Sequence, residues 1–128
     1  MLGMLIAASI VGIIVFVSLV VLPVAFVKLP QSYASIFVRK LFPVYHIFLF
    51  VLTDVAGLTA STPHLKPLAF ISGFVFALHF IFLTPAINKA TDLALTSRFK
   101  LLHQLSVVLH LVVISMLTLG LYIDASLF

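Results

Sequence analysis

The first 27 residues contain no charged side chain, and this run constrains the fold more than any other feature of the sequence. A helix needs about 20 apolar residues to cross the ~30 Å hydrocarbon core of a bilayer. Three more apolar runs of suitable length follow. The sequence therefore predicts membrane-spanning helices at about residues 2–27, 43–60, 68–87 and 101–123, because a backbone in lipid must satisfy its own hydrogen bonds.

Composition supports a membrane protein. Hydrophobic residues make up 64% of the 128 residues and charged residues only 8%, whereas soluble domains carry about 25% charged residues. We expect one all-α domain over residues 1–128, an integral membrane four-helix bundle with up-down-up-down topology. The first run has no basic segment before it and is too long for a signal peptide, so we interpret it as a retained helix.

The basic residues predict the orientation of this bundle. Six of the seven lie between helices 1 and 2 or between helices 3 and 4, while Lys66 lies between helices 2 and 3. Because short cytoplasmic loops are enriched in Lys and Arg, both termini are expected on the non-cytoplasmic side. The six are Lys28, Arg39, Lys40, Lys89, Arg98 and Lys100. Apolar residues at helical spacing beside Arg39 also suggest a short interfacial helix at 31–41.

Several function classes are excluded. The basic residues form no long run, which argues against nucleic acid as a partner. The absence of cysteine excludes disulfides, thiolate metal sites and thiol catalysis. No phosphate-binding loop, nucleophile elbow or paired carboxylates are present, so soluble-type hydrolysis is not expected.

Histidines carry most of the chemical signal. Four of the five lie in the predicted apolar helices: His46, His79, His103 and His110. A histidine in a membrane span is costly and usually faces the bundle interior. Counted at 1.5 Å per residue, His79 and His110 lie roughly 12 and 15 Å deep. His46 and His103 both lie roughly 5 Å deep. Ser106 falls between His103 and His110 at helical spacing and completes a polar stripe.

Three interpretations of these histidines are open. Each could simply form a hydrogen bond to a neighbouring helix. Alternatively, imidazoles at matched depth could hold b-type haem, with His79 and His110 as the axial pair and His46, His103 and Ser106 as further cofactor contacts. The same pair, His79 and His110, could bind copper or zinc. A proton relay is the third interpretation.

Asp54 is a separate candidate. It lies six residues from the predicted outer end of helix 2, at roughly 9 Å depth. A carboxyl group there is costly unless it is neutral, paired or hydrated. We expect either a proton or ion site or a structural acid near the interface, with Lys66 as a possible partner.

Three segments carry a family resemblance. They are "LPVAFVKLP" at the end of helix 1, "FLTPAINKATD" at the end of helix 3, and "RFKLLHQLSVVLH" at the start of helix 4. Together they resemble a four-helix membrane domain family that includes transmembrane-protein-205-like proteins. That resemblance implies a four-helix membrane bundle with an unsettled biochemical role, and Pro23, Pro85, His103 and Ser106 as family-pattern positions. The layout is distantly similar to copper-resistance D-type proteins and to the haem-binding protoporphyrinogen oxidase family.

Three functions are compatible with these features. The first is a redox-linked membrane protein, in electron transport, that binds b-type haem or a metal ion. The second is a non-catalytic accessory subunit or assembly factor of a larger, respiratory-type complex, and the third is a small transporter or channel component. Expected partners are the lipid bilayer, other membrane subunits or further copies of the chain. We expect a multi-pass protein of a bacterial inner membrane or an organellar membrane, and the sequence leaves open whether it is an enzyme.

Overall fold

The computed structural model describes residues 1–127, and these form long helices without a strand. There are four: α1 at Leu2–Lys28, α2 at Gln31–Thr59, α3 at Leu65–Asp92 and α4 at Thr96–Ser126. Each is long and apolar enough to cross a membrane. At 1.5 Å per residue they span about 40–47 Å, so their ends extend beyond a ~30 Å hydrocarbon core. The predicted all-helical architecture with four membrane-length helices is confirmed.

The four helices pack as a bundle in which each packs mainly against two neighbours. α2 and α3 form the most extensive pair, and α1 and α4 pack against each other and against α2 and α3 respectively. Buried residues recur at intervals of three and four along α1 and α4, the spacing of a left-handed helical bundle. They are Gly3, Ala7, Ile10 and Ile14 on α1, and Val113, Leu117, Gly120 and Asp124 on α4.

The predicted interfacial helix 31–41 is the first part of α2, which continues through Pro43. Proline keeps a helix-compatible φ and removes only one backbone donor, so a long helix can tolerate it with a local bend. The early part of α2 is also held by α3. The Arg39 guanidinium donates to Asp92 Oδ1 at 2.5 Å and to the Asn88 carbonyl at 3.4 Å.

Helices α3 and α4 also extend further than predicted. α3 continues to Asp92, and α4 begins at Thr96 and ends at Ser126. The sequence-based limits at 87, 101 and 123 mark where hydropathy falls, whereas the helices continue into more polar residues. The α3–α4 connection is therefore only three residues long, 93–95.

Two five-residue π-helical turns interrupt α1 and α3. They lie at Val17–Val21 and His79–Leu83, and each precedes a proline by two residues, at Pro23 and Pro85. A proline ring clashes with the carbonyl four residues earlier, and a wider turn relieves that crowding. π turns are frequent at functional sites, and the second one begins at His79.

Candidate metal centre

Three helices of the bundle each place one histidine at a common point in the interior. His46 comes from α2, His79 from α3 and His110 from α4. His46 and His79 are only 2% and 1% exposed, and His110 is partly buried. An imidazole is costly in such surroundings unless its nitrogens are paired. Their convergence is therefore the most chemically distinctive feature of the described residues.

The three rings are in direct contact. Ring centroids of His46 and His79 are 4.8 Å apart, as are those of His79 and His110. The His46 and His110 centroids are 5.7 Å apart. One ligand nitrogen from each of the three rings lies within 4.8 Å of those of the other two. This arrangement is a possible three-nitrogen metal site.

Hydrogen bonds fix the tautomer of two of the rings. His79 Nδ1 lies 2.9 Å from the Val75 carbonyl, and His110 Nδ1 lies 2.8 Å from the Ser106 carbonyl. A carbonyl oxygen only accepts, so Nδ1 must carry the proton in both neutral rings. Their Nε2 atoms therefore hold lone pairs. A metal-ligating histidine usually has its other nitrogen held in this way.

Ser106 and Thr84 contact the group from the neighbouring turns. The Ser106 hydroxyl lies 3.2 Å from His79 Nε2, to which it donates. Thr84 Oγ1 lies 3.3 Å from His46 Nδ1. The other nitrogen of His46, Nε2, is buried and has no hydrogen-bond partner within residues 1–127. An unpaired buried nitrogen costs about 1–3 kcal/mol, so His46 is the ring whose surroundings are incomplete.

Aromatic side chains enclose the histidines. Tyr45 stacks on His110 with ring centroids 5.9 Å apart and 12° between the planes, and Phe42 stacks on His46 at 5.6 Å. Phe76, fully buried, contacts the group from α3. These rings limit the access of water to the nitrogens.

His103 is not part of this group. It is exposed and stacks on Phe99, with ring centroids 5.8 Å apart and 7° between the planes. The depths estimated from the sequence place His103 at the same level as His46, near one end of the bundle. Because α2 begins at Gln31, His46 instead lies fifteen residues, or about 22 Å, along its helix. That shift brings His46 to the level of the other two histidines.

Asp54 lies apart from the histidines, against α3. It is partly buried, and a Cβ added at Gly73 would lie 2.9 Å from Asp54 Oδ1. The absence of a side chain at Gly73 makes room for this carboxyl group. Lys66 does not pair with Asp54 within residues 1–127, where the close contacts between acidic and basic side chains join Arg39 to Asp92 and His64 to Asp124.

Sequence reasoning missed a second polar group at the end of the bundle where α2 connects to α3. It consists of Thr62, His64 and Asp124, and the Asp124 side chain is 0% exposed. Asp124 fell one residue beyond the predicted end of helix 4. The available signal was its spacing of fourteen residues from His110, which places both on one face of a bundle helix.

Comparison with known proteins identifies one family. Residues 5–95, well over half of the chain, match the family described as Domain of unknown function (DUF4149). The matched range includes His46 and His79 and ends where α4 begins, before His110. No curated protein and no solved structure matches the chain. The resemblance to transmembrane-protein-205-like and copper-resistance proteins therefore has no named relative to support it.

Proposed function

Because the chain belongs to the Domain of unknown function (DUF4149) family, the family supplies no activity, and we propose a function from the site itself. The protein is a multi-pass integral membrane protein that binds one transition-metal ion through His46, His79 and His110. The single observation that carries this proposal is the meeting of three imidazoles from three separate helices, with one nitrogen of each within 4.8 Å of the others.

The three nitrogens are somewhat further apart than they would be around a bound ion. Zinc–nitrogen bonds of about 2.0–2.1 Å at tetrahedral angles place two ligand nitrogens about 3.4 Å apart. The widest separation here, 4.8 Å, would have to shrink by roughly 1.4 Å. Reorientation of the rings would have to supply this movement, and the His46 Nε2 has no hydrogen bond to break.

The donor set favours particular metals. Three neutral imidazoles suit zinc or copper, whereas calcium and magnesium prefer oxygen ligands. The group contains no carboxylate and no thiolate. Copper would make the protein redox-linked, while zinc has no redox chemistry. We favour one of these two ions, and the identity of the ion decides whether electron transfer is part of the function.

The geometry is less suited to haem. Two axial imidazoles on one haem iron lie on opposite faces of a flat macrocycle, which must fit between them. His79 and His110 are instead in direct contact, with centroids 4.8 Å apart and planes at 81°. Ser106, one turn before His110 on α4, also donates to His79 Nε2. No slot for a porphyrin separates the two rings, so a metal ion is the better occupant of this site.

We extend the proposal to topology. The helices would alternate in direction across the membrane, with both termini outside the cytoplasm. Six of the seven basic residues belong to the α1–α2 and α3–α4 side, which supports a cytoplasmic location for that side. The Arg39–Asp92 pair joins α2 to α3 at this same end of the bundle.

A metal titration tests the proposed function. The protein is purified in detergent, stripped with a chelator and titrated with zinc or Cu(II) against a competing indicator dye. His79→Gln and His110→Gln should each lose one equivalent of bound metal relative to the wild type, because three-nitrogen coordination is broken. His103→Gln removes a histidine outside the group and should bind as the wild type does. Equal stoichiometry in all four proteins would contradict the proposal.

An accessory-subunit role is a second candidate, favoured by the exposure of α4. Only 17% of the apolar window of α4 is buried, against 33% for α2 and for α3. Because most of its apolar residues are exposed, α4 has a large face available to another membrane subunit. Native gels of membranes solubilised in mild detergent test this role. Migration of the protein at its own mass would count against it.

A further inference from the structure

Thr62, His64 and Asp124 form a second polar group, at the end of the bundle where the α2–α3 connection meets the C-terminal part of α4. Asp124 is fully buried, and one of its oxygens, Oδ2, accepts a hydrogen bond from the Thr62 hydroxyl. Its other oxygen, Oδ1, lies 3.4 Å from His64 Nδ1. The His64 side chain is 47% exposed, so the group reaches from the protein interior to water.

The contact between Asp124 and His64 is not a hydrogen bond. Oδ1 is buried and has no hydrogen-bond partner within residues 1–127, although the imidazole nitrogen is so close. A buried carboxylate oxygen without a donor is unfavourable, because it has lost its water and gained no partner. When His64 is neutral and Nδ1 carries its lone pair, this nitrogen and the carboxylate oxygen are two electron-pair donors at the separation that a shared cation requires.

The separation also matches metal coordination. Zinc bonds of about 2.1 Å to nitrogen and oxygen, at a tetrahedral angle, place the two ligand atoms about 3.4 Å apart. The observed distance is 3.4 Å. We propose that Asp124 Oδ1 and His64 Nδ1 are the protein ligands of a second divalent-cation site, of zinc type, with water completing the coordination.

The surrounding residues support this assignment. Thr62 holds the far oxygen of the carboxylate, as a residue that orients a metal ligand does. The half-exposed His64 leaves room for water and for an ion arriving from solution. The mixed nitrogen and oxygen donor set suits zinc better than calcium or magnesium.

This site is independent of the three-histidine site. Asp124 follows His110 by fourteen residues on α4, about 21 Å along the helix axis. The two sites therefore share no ligand and can be removed separately. The inference does not rest on the proposed function, and either can fail alone.

Zinc titration of a His79→Gln/His110→Gln double variant tests the second site. In this background the central site is absent, and one equivalent of zinc should still bind. Adding His64→Gln or Asp124→Asn should weaken that binding at least tenfold. His103→Gln and Asp92→Asn serve as matched controls, because they remove an exposed histidine and a carboxyl group elsewhere, and both should leave the affinity unchanged.

Two outcomes would overturn the inference. The first is the absence of zinc binding in the double variant. The second is zinc binding that His64→Gln leaves unaltered, which would assign the ion to another part of the surface. Should Asp124→Asn fail to fold, His64→Gln decides the question, because the His64 side chain is half-exposed in a connection and glutamine can occupy its place.

Discussion

His46 differs from the two histidines beside it because its unpaired Nε2 is fully buried within residues 1–127 and its Nδ1 contacts a threonine hydroxyl, not a backbone carbonyl. His79 and His110 each have a backbone carbonyl for Nδ1, and His79 has Ser106 as well. The cost of the unpaired nitrogen, about 1–3 kcal/mol, falls on the metal-free protein, and the proposed metal ion would remove it. An unpaired buried nitrogen of this kind is expected in a residue that serves to bind a ligand and does not stabilise the fold.

Replacing His46 with leucine tests this view of its energetics. His46→Leu should raise the free energy of unfolding of the chelator-treated protein by about 1 kcal/mol, because removal of the unpaired Nε2 from an apolar site outweighs the loss of the 3.3 Å contact with Thr84. Thermal unfolding in detergent measures the change. His103→Leu, at an exposed position, should shift stability by less than about 0.5 kcal/mol. A clear loss of stability in His46→Leu would show that its nitrogens are satisfied in the metal-free state.

Ser106 should weaken metal binding through its side chain. Its hydroxyl donates to His79 Nε2, the atom that a metal must reach. Ser106→Ala should therefore tighten zinc binding about fivefold, since a hydrogen bond of about 1 kcal/mol no longer has to be broken. The backbone carbonyl that holds His110 is unaffected by this change. Unchanged or weaker binding, measured by competition with an indicator dye, would argue that the hydroxyl supports the bound state.

Among the helices, the docking of α1 on α2 depends on one glycine. A Cβ at Gly3 would lie 2.8 Å from the Ala56 carbonyl oxygen and from the Ala60 nitrogen, both backbone atoms of the neighbouring segment. Gly3→Ala should lower stability by about 1–3 kcal/mol because this backbone cannot give way locally. Gly12 has no atom within 4 Å of a Cβ. Gly12→Ala should therefore raise stability by about 0.5–1 kcal/mol in the same thermal assay, and equal effects at both positions would contradict the packing.

The α3–α4 connection contains the one non-glycine residue with positive φ among residues 1–127, Ala94 at 54°. It closes α3 with a bond from the Leu95 nitrogen to the Ala90 carbonyl at 2.9 Å, the pattern of a Schellman motif. A left-handed alanine costs about 1–2 kcal/mol. Ala94→Gly should raise stability by about 1 kcal/mol, whereas Ala90→Gly, within the helix, should lower it by a similar amount. Thermal unfolding of both variants distinguishes these effects.

The extent of each helix was less predictable than its existence. Hydropathy located four apolar runs correctly because lipid-facing segments must be apolar along their length. It could not locate helix ends, because helices continue past the hydrocarbon core into polar residues such as Asp92 and Thr96. Pro43 was misleading for a related reason. Proline often begins a helix, but the segment before it is held in helical form by Arg39 and its partners on α3.

The whole bundle decides which polar residues meet, and this is why the site was only partly predictable. His79 and His110 were expected at one level, and the structure places their rings in contact. The level of His46 depended on where α2 begins, and the exposure of His103 depended on how α4 is rotated against its neighbours. Neither the start of α2 nor the rotation of α4 can be predicted from the local spacing of residues. Asp124 could be grouped with His64 only once the end of α4 was placed beside the α2–α3 connection.

The proposed topology makes a prediction about the whole molecule. The chain contains no cysteine, so a single introduced thiol reports which side of the membrane its position faces. Ser61 and Ser97 are both exposed, at the α2–α3 end and the α3–α4 end of the bundle respectively. With the more basic side in the cytoplasm, Ser61→Cys in intact cells should react with a membrane-impermeant maleimide. Ser97→Cys should react only after the membrane is permeabilised.

The cysteine-free wild type is the control for background labelling. The reverse pattern would place the six basic residues outside and would contradict the orientation drawn from them. It would also exchange the compartment that faces the His64–Asp124 group, because this group lies at the Ser61 end of the bundle. In the proposed orientation that group faces the non-cytoplasmic side, so zinc added outside intact cells should reach it without crossing the membrane.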